Sequence, residues 1–220
     1  MAGCRLVPHN EVTNFLHMKK IFLIACILAP FVGAWALDVD HELAYCHQQV
    51  LRALEQLRPY DYTMQPRNIL ATDTREGWNC RKASGWEWCS GFWPGILWYA
   101  YESSGEQSLL EAAKGYTAAL RFLSEQPAYD HDIGFIMYPS YGNGYRLTGD
   151  PAYKETVLAT AGRLAELYNP AVGTILSWPR AVPAFGGHNT IMDNLLNLET
   201  LLWAADNGGR DEWRQIAVSH

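Results

Sequence analysis

The chain has 220 residues, of which 49% are hydrophobic and 18% charged, with a formal net charge of −6. That is ample apolar material for one core, and the acidic balance argues against nucleic acid or other long polyanions held by diffuse charge. A small anion gripped by a few local groups stays compatible. With nine Trp and twelve Tyr, the composition fits either a large aromatic core or a site that stacks flat rings such as sugars.

The first 36 residues read as a leader. Met18-Lys19-Lys20 is a basic start, Ile21 to Ala34 an apolar run, and Ala34-Trp35-Ala36 a small-x-small cleavage site. Residues 1–17 look like an upstream extension, and the apolar stretch is short for a membrane span. The expectation is export, to a periplasm, with lipoprotein anchoring at Cys26 as the alternative. Removing residues 1–36 takes away Glu11, Arg5, Lys19 and Lys20, which moves the formal charge from −6 to −8. Cys46, Cys80 and Cys89 then remain, with no Cys-x-x-Cys spacing, so neither a structural zinc site nor any other metal or cofactor is expected. A Cys80–Cys89 disulfide is permitted in an exported protein.

Residues 37–220 read as one all-α domain. Leu43, Val50, Leu54 and Leu57 mark a helical stripe in Asp38–Leu57. Arg58–Ser84 has no sustained period and reads as a loop. Helical patterns resume at 91–103, 107–125, 133–147, 152–168 and 189–206, and again from 211 onward. Residues 169–188 carry Pro170, Gly173, Pro179, Pro183, Gly186 and Gly187 and predict a long, functional loop.

A repeat underlies these helices. Ser104-Gly105-Glu106, Thr148-Gly149-Asp150 and Gly208-Gly209-Arg210-Asp211 each join one helix to the next. Glycine suits a left-handed helix end, and the acid suits the following N-terminus. Hairpins of this kind bury their faces only by stacking or by closing into a ring. About seven helices follow the leader, and the last, from Trp213, stops without a terminating signal. The expectation is about the first half of a twelve-helix toroid.

Two aspartates stand out. Asp132 heads the run Ile133-Gly134-Phe135, and Asp193 lies 61 residues later in the 189–206 segment. Carboxylates at the mouths of apolar helices require partners or a task, and a pair suits general acid and base work. Capping competes as an explanation. Asp132 could cap its helix, and Thr190-Ile191-Met192-Asp193 matches a capping box. In the 189–206 helix Asp193, Asn197 and Thr200 form a narrow polar line between two apolar stripes, expected to face a cavity. Trp178 and Trp88 read as ring-stacking surfaces or hydrophobic anchors, and Phe92, Trp93 and Trp98 as core. His131 suits a satisfied loop histidine, and Arg180 a solvated loop arginine with anion pairing as the alternative.

Three blocks together carry a family resemblance: Trp88-Cys89-Ser90-Gly91-Phe92-Trp93-Pro94-Gly95-Ile96-Leu97-Trp98, His131-Asp132-Ile133-Gly134-Phe135, and Ile191-Met192-Asp193-Asn194-Leu195-Leu196-Asn197-Leu198. Their order and spacing resemble the N-terminal portion of glycoside hydrolase family 88, the unsaturated glucuronyl hydrolases. The resemblance implies an (α/α)6 toroid and a substrate that is an unsaturated uronic-acid oligosaccharide released by polysaccharide lyases, glycosaminoglycan disaccharides above all. It implies hydration of the double bond between carbons 4 and 5 of the terminal sugar. Asp193 matches the general acid that protonates carbon 4, and Asp132 a second aspartate that modulates it and binds sugar hydroxyls. His131, Trp178, Trp88 and Asn194 match or adjoin substrate-contacting positions. Burial is expected to keep Asp193 protonated near neutral pH. Family members continue well past His220, so the chain by itself is expected to be inactive. Two other readings compete: an unsaturated rhamnogalacturonyl hydrolase with the same chemistry, and a non-catalytic helical-repeat module that binds glycans or proteins.

Overall fold

The structure is a computed structural model that describes residues 37–69 and 77–220. The leader, its cleavage site and Cys26 lie outside the described residues. The chain divides into two compact units, Met1–Ala44 and Tyr45–His220, and only residues 37–44 of the first are described. Among the described residues no helix is long and apolar enough to cross a membrane.

Helices dominate, in the predicted order: α1 (Val39–Leu57), α2 (Phe92–Ser104), α3 (Gln107–Ala118), α4 (Ile133–Met137), α5 (Asn143–Thr148) and α6 (Pro151–Ala165). A short α7 (Val182–Phe185), α8 (Leu198–Asp206) and α9 (Asp211–Ser219) complete the series. The predicted helix 133–147 is continuous, but α4 passes into α5 through a π-turn at Tyr138–Gly142. Pro139 lies inside that turn and cannot donate a backbone hydrogen bond, and the widened turn accommodates the missing donor.

The repeated turns behave as their residues dictate. Gly105 and Gly149 close α2 and α5 at φ 71° and 70°. Their N–H groups donate to Tyr101 O and Tyr145 O, each at 2.8 Å. Ser104 Oγ accepts the N–H of Glu106 at 3.1 Å, and Thr148 Oγ1 that of Asp150 at 3.2 Å. Asp150 then caps α6 by accepting the Ala152 N–H at 2.9 Å. The two turns share the left-handed glycine and the hydroxyl bond, while Glu106 at the head of α3 makes no side-chain cap bond.

Two apolar clusters form the core of the second unit. One joins α1, α2 and α3 through Leu57, Leu97, Trp98, Leu109 and Tyr116. Trp98 is fully buried, and its indole N–H finds Thr117 Oγ1 at 2.9 Å. The other joins α4, α6, α8 and α9 through Ile136, Met137, Val157, Leu164, Leu201 and Trp213. Tyr153 of α6 packs against both.

Three expectations need correction. The stretch 58–84 contains an antiparallel hairpin, β1 (Met64–Asn68) and β2 (Asn79–Lys82), with a register irregularity between Pro66 and Asn68. Pro66 and six polar residues across the two strands hide its alternation. A smaller hairpin, β3 (Tyr168–Asn169) with β4 (Thr174–Ile175), occupies the start of the predicted long loop. The predicted helix 189–206 is not one helix: residues 189–191 are non-helical, Met192–Asn197 is a 3-10 turn, and α8 begins only at Leu198. Cys46, Cys80 and Cys89 are free thiols, so the permitted Cys80–Cys89 bond is not formed.

Candidate active site

The two aspartates meet. Asp130, His131 and Asp132 form the turn that enters α4, and the 3-10 turn Met192–Asn197 brings Asp193 against it. Neither aspartate caps a helix. Asp132 occupies the N-cap position of α4 without a side-chain cap bond, and the cap position of the 3-10 turn is Ile191. With the capping explanations gone, what the two side chains touch is His131. Its Nε2 lies 3.1 Å from Asp193 Oδ1 and 3.2 Å from Asp132 Oδ1.

The imidazole is fully buried, and its other nitrogen fixes its protonation pattern. His131 Nδ1 lies 2.9 Å from Ser177 O, and a carbonyl only accepts, so Nδ1 carries the hydrogen. Nε2 therefore faces two carboxyl oxygens. If the imidazole were neutral and both carboxyls ionised, lone pairs alone would meet there. The arrangement calls for at least one shared proton, on Nε2 or on a carboxyl. Burial pushes the Asp132 carboxyl up to about 6, with His131 pulling it down and Asp130 and Asp193 adding to the rise. The side chain of Asp193, expected to be the buried one, is 45% exposed, against 11% for Asp132. Burial thus falls on the other member of the pair.

Ser177 ties the site together. Its carbonyl also accepts the backbone N–H of His131 at 3.1 Å, and its own N–H donates to Asn189 O at 2.8 Å. Its hydroxyl accepts the Ile191 N–H at 3.0 Å. The predicted long loop is therefore pinned to the head of α4 on one side and to the approach of the 3-10 turn on the other. Asn197, fully buried, accepts the Phe135 N–H at 2.8 Å, and Thr200 Oγ1 donates to Gly134 O at 3.2 Å. The polar line predicted along 193–200 thus faces α4 rather than a cavity at its last two positions. Met192, Leu195 and Leu196 of the expected apolar stripes are exposed instead.

Around this centre lies a cleft of about 710 Å³. Asp130, His131, Asp132 and Asp193 line one part, Trp178, Trp86 and Trp88 supply flat rings, and Arg67, Asn68, Asn79 and Arg81 come from the β1–β2 hairpin. Trp178 meets the His131 ring edge-on at 6.0 Å and stacks on Phe185 at 6.4 Å. Trp88 is backed by Phe92, which lines the cleft and is 40% exposed, contrary to its assignment to the core; Trp93 and Trp98 are buried as expected. Asn194 is fully buried, its amide donates to Ile175 O at 3.2 Å, and it is not among the residues that line the cleft.

Sequence reasoning missed Asp130. Its carboxylate is 3% exposed and accepts the Asp132 N–H at 3.1 Å and an Arg180 N–H at 2.8 Å. Arg180, with its side chain 39% exposed, takes the anion-pairing alternative, and its guanidinium lies over the rings of Trp86 and Tyr129, at 4.8 and 4.7 Å. The spacing Asp-His-Asp was the signal available. Asp130, His131 and Asp132 offer ligand atoms within 4.8 Å of one another. However, Asp130 has both oxygens engaged and His131 has Nδ1 committed, which describes a hydrogen-bonded network better than a metal centre.

No protein-family model matches this chain. Over 137 residues it is 36% identical to the unsaturated chondroitin disaccharide hydrolase of Streptococcus agalactiae serotype III (strain NEM316), a stretch of 61% of this chain and 34% of that protein. It is 34% identical over 137 residues to the unsaturated glucuronyl hydrolase of Bacillus sp. (strain GL1), 61% of this chain and 36% of the relative. Among solved structures, an unsaturated glucuronyl hydrolase specific for heparin matches with TM-score 0.68 and 36% identity, covering 82% of this chain and 47% of the other. The unsaturated glucuronyl hydrolase from Streptococcus agalactiae matches with TM-score 0.70 and 27% identity, covering 84% and 45%. The chain spans about a third of the length of these curated relatives and just under half of these solved structures.

Proposed function

We propose that the chain is part of an unsaturated glucuronyl hydrolase of glycoside hydrolase family 88, with part of that family's (α/α)6 toroid, and that its protein hydrolyses unsaturated glucuronyl oligosaccharides. The substrates in this reading are disaccharides that polysaccharide lyases release from glycosaminoglycans. The observation that carries the proposal is the buried imidazole whose Nε2 lies 3.1 Å from Asp193 Oδ1 and 3.2 Å from Asp132 Oδ1.

Hydrating a vinyl ether needs a proton delivered to carbon. Asp193, the more exposed carboxyl, gives its proton to carbon 4 of the terminal sugar, and positive charge develops at carbon 5 and the ring oxygen. Water adds at carbon 5 and returns a proton to the Asp193 carboxylate. The resulting hemiketal opens and releases the second sugar. Asp132 and His131 hold the compensating charge beside the donor, because close carboxyls resist ionising together. Trp178 and Trp88 stack on sugar faces. The separation rule for retaining and inverting carboxylates has no bearing, since the anomeric carbon is not attacked directly. The names of the relatives support the glucuronyl reading over the rhamnogalacturonyl one. For the leader, residues 1–36, we propose export to a periplasm followed by a catalytic domain from residue 37, to be checked by cell fractionation and N-terminal sequencing of the mature protein.

The test is optical. The whole protein, given unsaturated chondroitin or hyaluronan disaccharide, should bleach the ultraviolet band of the conjugated double bond, and Asp193→Asn should not. A wild-type protein that binds these sugars and leaves the band intact would refute the hydrolase and favour a glycan-binding module.

A further inference from the structure

Asp130 and Arg180 lie outside the proton-sharing trio, yet they hold it in place. Asp130 is a buried carboxylate whose two oxygens point in two directions. Oδ1 accepts the N–H of Asp132, inside its own turn, and Oδ2 accepts from Arg180, fifty residues away. Removing the guanidinium would leave a buried charge with one partner, which is costly enough to reorganise the turn. The guanidinium has little freedom of its own, because Trp86 covers it at 4.8 Å and Tyr129 at 4.7 Å. A planar cation with rings against it keeps its plane, and an ammonium on a flexible stem does not.

The location gives this clamp its significance. Arg180 follows Trp178 by two residues on the loop that Ser177 anchors, and Trp86 and Arg180 both line the cleft. The pair therefore joins the stacking loop to the carboxyl-bearing turn at a second point, beyond the Ser177–His131 link. It also sets the local charge: Asp130, Asp193, His131 and Arg180 are the charged or titratable groups acting on Asp132. Among these Arg180 is the one permanent cation.

We propose that Arg180 and Asp130 are positioning residues of the reaction, with the ring-clamped guanidinium holding Asp130 so that His131 and Asp132 stay registered with the Trp178 loop. The catalytic part of this inference rests on the hydrolase reading given above; the geometric part does not.

Two measurements on the whole protein separate the parts. In the first, Arg180→Gln lowers kcat about 10- to 100-fold, the loss expected when reacting groups move by about an ångström. It also moves the acidic limb of the pH profile to higher pH, because Asp132 ionises less readily without the cation. Arg180→Lys leaves the limb near its wild-type position and recovers only part of kcat. A wild-type kcat in Arg180→Gln, an unmoved limb, or full recovery with lysine each overturns the proposal. In the second, the Asp132 carboxyl carbon is followed by NMR against pH and titrates higher in Arg180→Gln than in wild type. That readout needs no turnover. A protein inert on unsaturated uronates whose Asp132 titration moves keeps the positioning role and loses the hydrolase reading; an active protein whose titration does not move loses the positioning role. If Arg180→Gln does not fold, Tyr129→Leu removes one ring of the clamp and keeps both charges. It should lower kcat without moving the limb, and an unchanged kcat overturns the proposal.

Discussion

Asp132→Asn should make the protein more stable above neutral pH while abolishing its turnover. Burial raises the Asp132 carboxyl from its ordinary 3.8 to about 6, so the native state holds a proton that the unfolded chain releases. The sign follows from linkage. Below pH 3.8 the carboxyl is protonated in both states and costs nothing; between 3.8 and about 6 stability falls as pH rises; above about 6 the full cost applies. At about 1.36 kcal/mol per pH unit, that cost is on the order of a few kcal/mol at pH 8 and well under 1 kcal/mol at pH 4. With its side chain only 11% exposed, Asp132 has little solvent screening to reduce this. An amide keeps the shape, does not ionise, and donates to His131 Nε2. Urea unfolding at the two pH values measures the difference directly. The reasoning fails if Asp132→Asn is no more stable than wild type at pH 8, or if its advantage is the same at pH 4. A site residue that costs stability is what a functional carboxylate in an apolar setting should be.

Two further substitutions test the frame around the site. Gly134→Ala would put a Cβ 2.5 Å from Asn197 Oδ1 and 3.0 Å from Asn197 Cα. It should therefore lower stability by about 1–3 kcal/mol through overpacking, read as a fall in urea midpoint with an unchanged slope. Trp178→Ala removes the ring proposed to stack on sugar and should raise KM about tenfold. Steady-state kinetics checks this, and an unchanged KM argues that Trp178 only anchors its loop against Phe185.

How much of this was legible depended on how local the signal was. The Ser-Gly-Glu and Thr-Gly-Asp turns were readable because cap geometry involves residues within one turn of each other. The cap explanation of Asp193 failed because residues 189–191 are non-helical, held by Ser177 from another segment. In that segment Asn194, Asn197 and Thr200 are buried and Met192, Leu195 and Leu196 exposed, whereas the helical period placed the apolar stripes inside. Asp130 escaped notice because its partner, Arg180, is brought to it only by the fold. The β1–β2 hairpin was hidden by a proline and by polar residues on both faces, which erase the period of two.

Four of the bonds that assemble the centre are long in sequence: His131 to Ser177 spans 46 residues, Arg180 to Asp130 spans 50, His131 to Asp193 spans 62 and Thr200 to Gly134 spans 66. The α2–α3 and α5–α6 turns close within a few residues. Loop-closure entropy is thus concentrated where the chemistry is, and contacts of this separation form only after the intervening helices have shortened the path between them. The Asp130–Asp132 turn is local, but the full acid centre is a property of the assembled chain, because Asp193, Ser177 and Arg180 reach that turn only through the fold.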